Sequence, residues 1–153
     1  LKFDLTFDQI DIPSVINDVV PQSQRKAVAA VLTSDSFTEA DVDAAGMRLL
    51  GDMPSASFIL PTGAPLGPGL KKGNLFAHLK AEAYDLFCTN SDVYASERKD
   101  GTQTVKNLIT ILATAAGGTY SVSAAVFTGA ATLVVMLVLK MGLNAYCKAH
   151  APE

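Results

Sequence analysis

The sequence predicts an all-α fold. Three observations lead there. Apolar residues recur at three- and four-residue spacing along several segments. Helix-start signatures stand in front of those segments. The stretch from Asn107 to Leu139 holds no Asp, Glu, Lys, Arg, His or Pro and reads as two hydrophobic helices in a hairpin. The expected layout is a small helical lobe over residues 1–53, a Pro/Gly-rich connector over 54–73, and a helical half over 74–153 built on that hairpin, with arms at 102–116 and 119–146.

The first element is the least helical. Leu1, Phe3, Leu5 and Phe7 alternate with polar residues, which is strand periodicity, but no second strand offers itself as a partner. The expectation is an extended arm lying in a groove of its own domain or of a neighbour. Pro13 can open a short helix that Pro21 ends. A second helix runs from Ser23 to Leu32, with Val28, Ala29 and Leu32 on one face. A capping box at Ser36–Glu39, with Thr38 as a competing cap, introduces a third, which Gly51 stops.

Residues 52–72 carry four prolines and three glycines and cannot be helical throughout. Asn74 then caps a helix whose buried face is Phe76, Leu79, Ala83, Leu86 and Phe87, with Lys80, Glu82 and Asp85 turned outward. A break at Asp100-Gly101 leads to Thr102 or Thr104, either of which can cap the first hairpin arm.

Within the hairpin, Gly117-Gly118 is the expected hinge, and Thr119 the expected cap of one long second arm. Ser121, Ala125 and Gly129 follow one another at four-residue spacing, a stripe of small residues that lets a second backbone approach closely. Beyond Thr132 the helix is apolar on every side, as in a bundle's central helix or a membrane span. Tyr120 to Leu139 is about 20 residues, the length that crosses a bilayer core.

Composition narrows the function classes. Half the chain is apolar (49%) and only 18% is charged, with a net charge of −3. Basic residues occur together only as the pairs Arg25-Lys26, Lys71-Lys72 and Arg98-Lys99, which does not make the cationic face that nucleic-acid binding requires. The opening residues lack the pattern of a signal peptide.

Candidate chemistry is sparse. His78 and Cys88 share a helix but lie about 15 Å apart along its axis. Cys147 and His150 have ligand spacing, yet no further ligands accompany them, so no metal site is expected. Glu39, Asp41, Asp43 and Asp52 do not have calcium-loop spacing. The glycines at 63, 67, 69 and 73 form no phosphate-binding fingerprint. Cys88 and Cys147 are expected to stay unpaired, because nothing else in the chain points to an oxidising compartment.

No catalytic residues and no cofactor are therefore expected. The functional expectation is a non-enzymatic, membrane-associated protein on the cytoplasmic side that anchors to or perturbs the bilayer. It would oligomerise through Gly117, Gly118, Ser121, Ala125 and Gly129. The alternative is a soluble, cytoplasmic assembly or interaction subunit whose hairpin is buried in a homo-oligomer or against a partner protein.

Overall fold

The computed structural model describes residues 2–34, 36–51, 75–89, 92–99 and 102–151. The Pro/Gly-rich connector and the Asn74 cap lie outside the described residues. The rest is all-α. Helices α1 (Ile12–Val19), α2 (Gln22–Leu32), α3 (Glu39–Leu49) and α4 (Leu75–Cys88) precede a short α5 (Ala95–Lys99). Then come α6 (Val105–Tyr120), α7 (Ala124–Met141) and α8 (Leu143–Ala149).

Local chemistry explains the starts and stops. Asp11 caps α1, accepting from the Ser14 N–H at 3.1 Å, and Pro13 sits in the first turn, where a missing N–H costs nothing. At the other end, Arg25 reaches back from α2 and donates to the carbonyls of Asn17 and Val20. The box before α3 is centred on Thr38 and not on Ser36. The Thr38 hydroxyl accepts from the Asp41 N–H while Asp41 accepts from the Thr38 N–H at 2.9 Å. Thr104, and not Thr102, caps α6.

The N-terminal arm finds a partner that its sequence did not announce. Lys2–Phe3 (β1) pairs in parallel with Thr102–Gln103 (β2), two residues on each side, and Phe3 stacks on Phe87 with ring centroids 5.7 Å apart. This pins the arm to the entrance of α6.

Helix α7 is the axis of the molecule. Helices α2, α3, α4, α6 and α8 all pack on it, and α6 packs most extensively, as the antiparallel arm of the hairpin. Gly129 to Val138 is buried without interruption. One hydrophobic core runs from Val15 to Tyr146, so the helices of residues 12–49 share it with those that follow. The five residues expected on the buried face of α4 are the five that are buried.

The hairpin is organised differently from the sequence expectation. Gly117 and Gly118 are not its hinge; both lie inside α6, which continues to Tyr120. The turn is Ser121-Val122-Ser123, with Ser121 in the left-handed conformation at φ 55° and the Ser123 hydroxyl capping α7. Gly117 has another reason to be glycine. A Cβ there would sit 2.7 Å from the Val122 carbonyl oxygen and 3.1 Å from the Ala124 backbone, so the two arms meet across its bare Cα. The second arm is also not one helix to Tyr146. Gly142, at φ 92°, separates α7 from α8.

Cys88 and Cys147 are joined as a disulfide, which overturns the expectation that they stay apart. The break at Gly142 is the physical reason. It lets α8 turn back and pack against α4, bringing the two Cα atoms within 5.5 Å across a 59-residue separation. A cross-link closing a loop of that length is worth about 4 kcal/mol in the chain-entropy account.

The two glycines of α6 should therefore behave oppositely. Gly117→Ala should destabilise by about 1–3 kcal/mol through overpacking at the turn. Gly118→Ala, whose Cβ would meet nothing within 4 Å, should be neutral or stabilising by up to about 1 kcal/mol. Urea unfolding of the two single variants checks this; equal effects would place the close approach elsewhere.

Candidate functional site

Of the residues expected to form an interaction stripe, the structure keeps Ala125 and Gly129 on α7 and places Ser121 outside it, in the turn. The groove over Ala125 and Gly129 is filled from within the chain by Gln24 of α2. Its Oε1 accepts from the Gly129 N–H at 2.8 Å and its Nε2 donates to the Ala125 carbonyl at 2.9 Å. The side-chain amide thus straddles one residue pair of the α7 hydrogen-bond ladder, and a β-carbon at Gly129 would collide with it. A Gln among exposed residues of an amphipathic helix carries no sequence signal for this role; only the 105-residue approach of α2 to α7 reveals it.

Further hydroxyls in α7 are satisfied by their own helix. Thr132, fully buried, donates to the Thr128 carbonyl at 2.8 Å, and Thr128 donates to Ala124 at 3.0 Å. At the far end, Lys140 donates to the Phe37 carbonyl at 2.7 Å and lies 3.9 Å from the centroid of its ring.

Titratable groups converge where α3, α4 and α8 meet. Lys80 pairs with Asp43 at 3.0 Å and lies 3.6 Å from Glu39. Glu39 also contacts His150, whose imidazole stacks on Tyr146 with centroids 4.2 Å apart. The disulfide holds α8 against α4 beside this network. Tyr146 is buried, and its hydroxyl has no hydrogen-bond partner among the described residues. Burial first, then the negative charges of Glu39 and Asp43, raise its pKa above the ordinary phenol value, so the group stays neutral.

Sequence spacing singled out Glu39, Asp43, Cys147 and His150, but not as one set. The structure brings Glu39, Asp43 and His150 together with Lys80 and Tyr146, and assigns Cys147 to the disulfide. His78 instead lies at the hairpin end of α4, its ring 5.0 Å from that of Tyr120. Among the described residues, no group of three His, Cys, Asp or Glu side chains is arranged to hold a metal. The glycine and lysine cluster at 63–73 lies outside the described residues. The arrangement at α3, α4 and α8 is an ion-pair network over a buried phenol. What it can do is dock three helices.

On the opposite side of α3 the surface opens. An apolar trough of about 460 Å³ runs between α2 and α3, with Ala27, Ala30 and Val31 on one wall and Ala44, Ala45 and Leu49 on the other. Asp41 and Arg48 stand on its lip. Among the described residues Arg48 makes no ion pair, and Asp41 spends only its Oδ2 on the α3 cap.

Comparison of the chain with protein-family models, with curated proteins and with solved structures finds no match in any of the three. The reading of function rests on the geometry alone.

The Gln24 bridge should show as coupling. Gly129→Ala alone should cost about 1–3 kcal/mol, and Gln24→Ala a similar amount through two lost hydrogen bonds. In the double variant the Gly129→Ala cost should largely vanish, since the collision partner is gone. Additive costs in a denaturation cycle would mean the amide does not occupy this groove.

Tyr146 should give an alkaline limb to stability. A pKa raised on folding contributes fully below the ordinary phenol value of 10.0 and is lost as pH rises through the folded-state pKa. Stability should fall above about pH 10 by up to about 1.4 kcal/mol per unit. Tyr146→Phe should flatten that limb and cost little at neutral pH; an unchanged slope in that variant would assign it to other groups.

Proposed function

We propose that the chain is a non-enzymatic, water-stable helical subunit whose hydrophobic hairpin is its own core. The observation that carries this reading is the burial of α7. Its residues from Gly129 to Val138 are enclosed by five helices of the same chain. Leu5 and Val126, the exposed large apolar side chains among the described residues, are only 39% and 37% accessible. Described helices that leave so little apolar surface open are suited to water as they stand. The Cys88–Cys147 disulfide supports an oxidising compartment in place of the cytoplasmic one that the sequence suggested. The converging ion pairs serve to hold α3, α4 and α8 together, which fits a structural or interaction role.

A second reading, in which the hairpin enters a bilayer, has its own support. α7 is 18 residues long with a mean hydropathy of 2.0, though 61% of it is buried. Past Lys106, which pairs with Asp18 at its first turn, the outward face of α6, with Asn107, Thr110, Thr114, Gly118 and Thr119, carries no charge. Uncharged groups cost less in lipid than the Lys, Asp or Arg a surface helix usually shows. Insertion would require α2, α3, α4 and α8 to leave α7 and the Gln24 bridge to open.

Flotation with anionic and neutral lipid vesicles, in oxidising and reducing buffer, separates the two. The chain should stay in the soluble fraction without detergent and keep its helical circular dichroism. Co-flotation with vesicles, or aggregation on removing detergent, would overturn the soluble reading in favour of the second.

A further inference from the structure

We infer that the α2–α3 trough is a self-association surface, and that its occupant is α3 of a second copy packed antiparallel about a two-fold axis. The inference rests on the reading of the chain as a water-stable subunit and supplies its partner. Three features of the trough point to a second copy.

The first is its shape. The walls are mostly alanine, Ala27 and Ala30 on the α2 side and Ala44 and Ala45 on the α3 side, beside Val31 and Leu49, and the volume is about 460 Å³. Small side chains on both walls admit a helix at close range, as ridges-into-grooves packing requires.

The second is the charge pattern on α3. Asp41 and Arg48 are seven residues apart, so they lie on the same face, about 10 Å from each other along the axis. The midpoint between them falls between Ala44 and Ala45. A two-fold axis through that midpoint places the smallest side chains at the crossing. It also sets each Asp41 opposite the Arg48 of the other copy, twice over. Self-complementarity of this kind is what an isologous interface demands.

The third is that both charges are available. Arg48 is exposed and has no ion pair among the described residues, and Asp41 keeps Oδ1 open while its Oδ2 caps α3. The other acidic residues of α3 are already engaged on the far side of the helix, Glu39 with His150 and Lys80, and Asp43 with Lys80. This surface differs from the hairpin stripe, whose groove Gln24 already occupies.

The test is a charge swap read by sedimentation velocity across a concentration series, with circular dichroism confirming that each variant is folded. The parent chain should dimerise. Asp41→Arg alone and Arg48→Asp alone each place like charges opposite one another at both lips, and each should weaken dimerisation at least about tenfold. Mixed in equal amounts, the two variants should form a heterodimer, because both contacts then become Arg opposite Asp. Loss of the Asp41 cap cannot explain that rescue, since the cap is missing in the mixture as well. Ala30→Arg, on the exposed wall of α2, should block association without touching α3.

A parent chain that is soluble, helical and monomeric throughout overturns this inference and leaves the proposed function standing. Dimers that ignore all three substitutions would move the interface elsewhere and overturn it equally. A mixture that stays monomeric would rule out the antiparallel register. Co-flotation with vesicles, by contrast, would remove the reading on which the inference rests.

Discussion

An α-helix that is apolar on every side has no face to offer water, and the rest of this structure follows from enclosing α7. A surface helix needs one neighbouring layer; α7 needs a complete ring. Five helices from both ends of the chain supply it. Each fully buried Leu, Met, Phe or Val along α7 contributes about 1.5–3 kcal/mol relative to exposure. The enclosing helices are amphipathic and several are short, so alone they would be marginal. They are stable because α7 gives their apolar faces a common surface.

Enclosure also dictates how polar atoms are handled inside the ring. Buried Thr132 and half-buried Thr128 bond to carbonyls one turn back and ask nothing of neighbouring helices. Gln24 is the exception, since it reaches the α7 backbone from another helix and fixes the register of α2 against it. Lys140 closes the apolar run at the end where a cation favours the helix dipole. The ion pairs of Lys80 with Asp43 and Glu39, and the Glu39–His150 contact, lie outside the ring, where partial solvation keeps their desolvation cost low.

Local features were legible in the sequence, and contacts across long separations were not. Three-residue signals such as the Thr38 and Thr104 caps, and the 3–4 spacing of α4, need only neighbours along the chain. The paired glycines were misread because glycine serves two purposes. At Gly117 it permits close approach, while the left-handed residue that turns the chain is Ser121, a type that adopts that conformation at some cost. The disulfide was missed because it depends on Gly142 redirecting α8, and a lone glycine within a helical pattern is not by itself a stop signal. Asp41 was read only as one of an acidic group, and the lip it shares with Arg48 exists only once α2 lies beside α3. Small residues at four-residue spacing promised a filled groove; the identity of the filler, a side chain from the first quarter of the chain, was beyond any periodicity argument.

The bond between Cys88 and Cys147 also decides how the molecule carries mechanical load. Tension applied to the two ends of the chain travels along α4 to Cys88 and crosses directly to Cys147 and α8. The hairpin, with everything else inside the 59-residue loop, lies off that covalent path while the bond is intact. Helices α1 to α3 lie on it, and because α2 and α3 pack on α7, drawing them out would strip that side of α7. Cutting the bond would bring the loop into the path of the force and lengthen the unfolded chain by about 3.3–3.6 Å for each residue released.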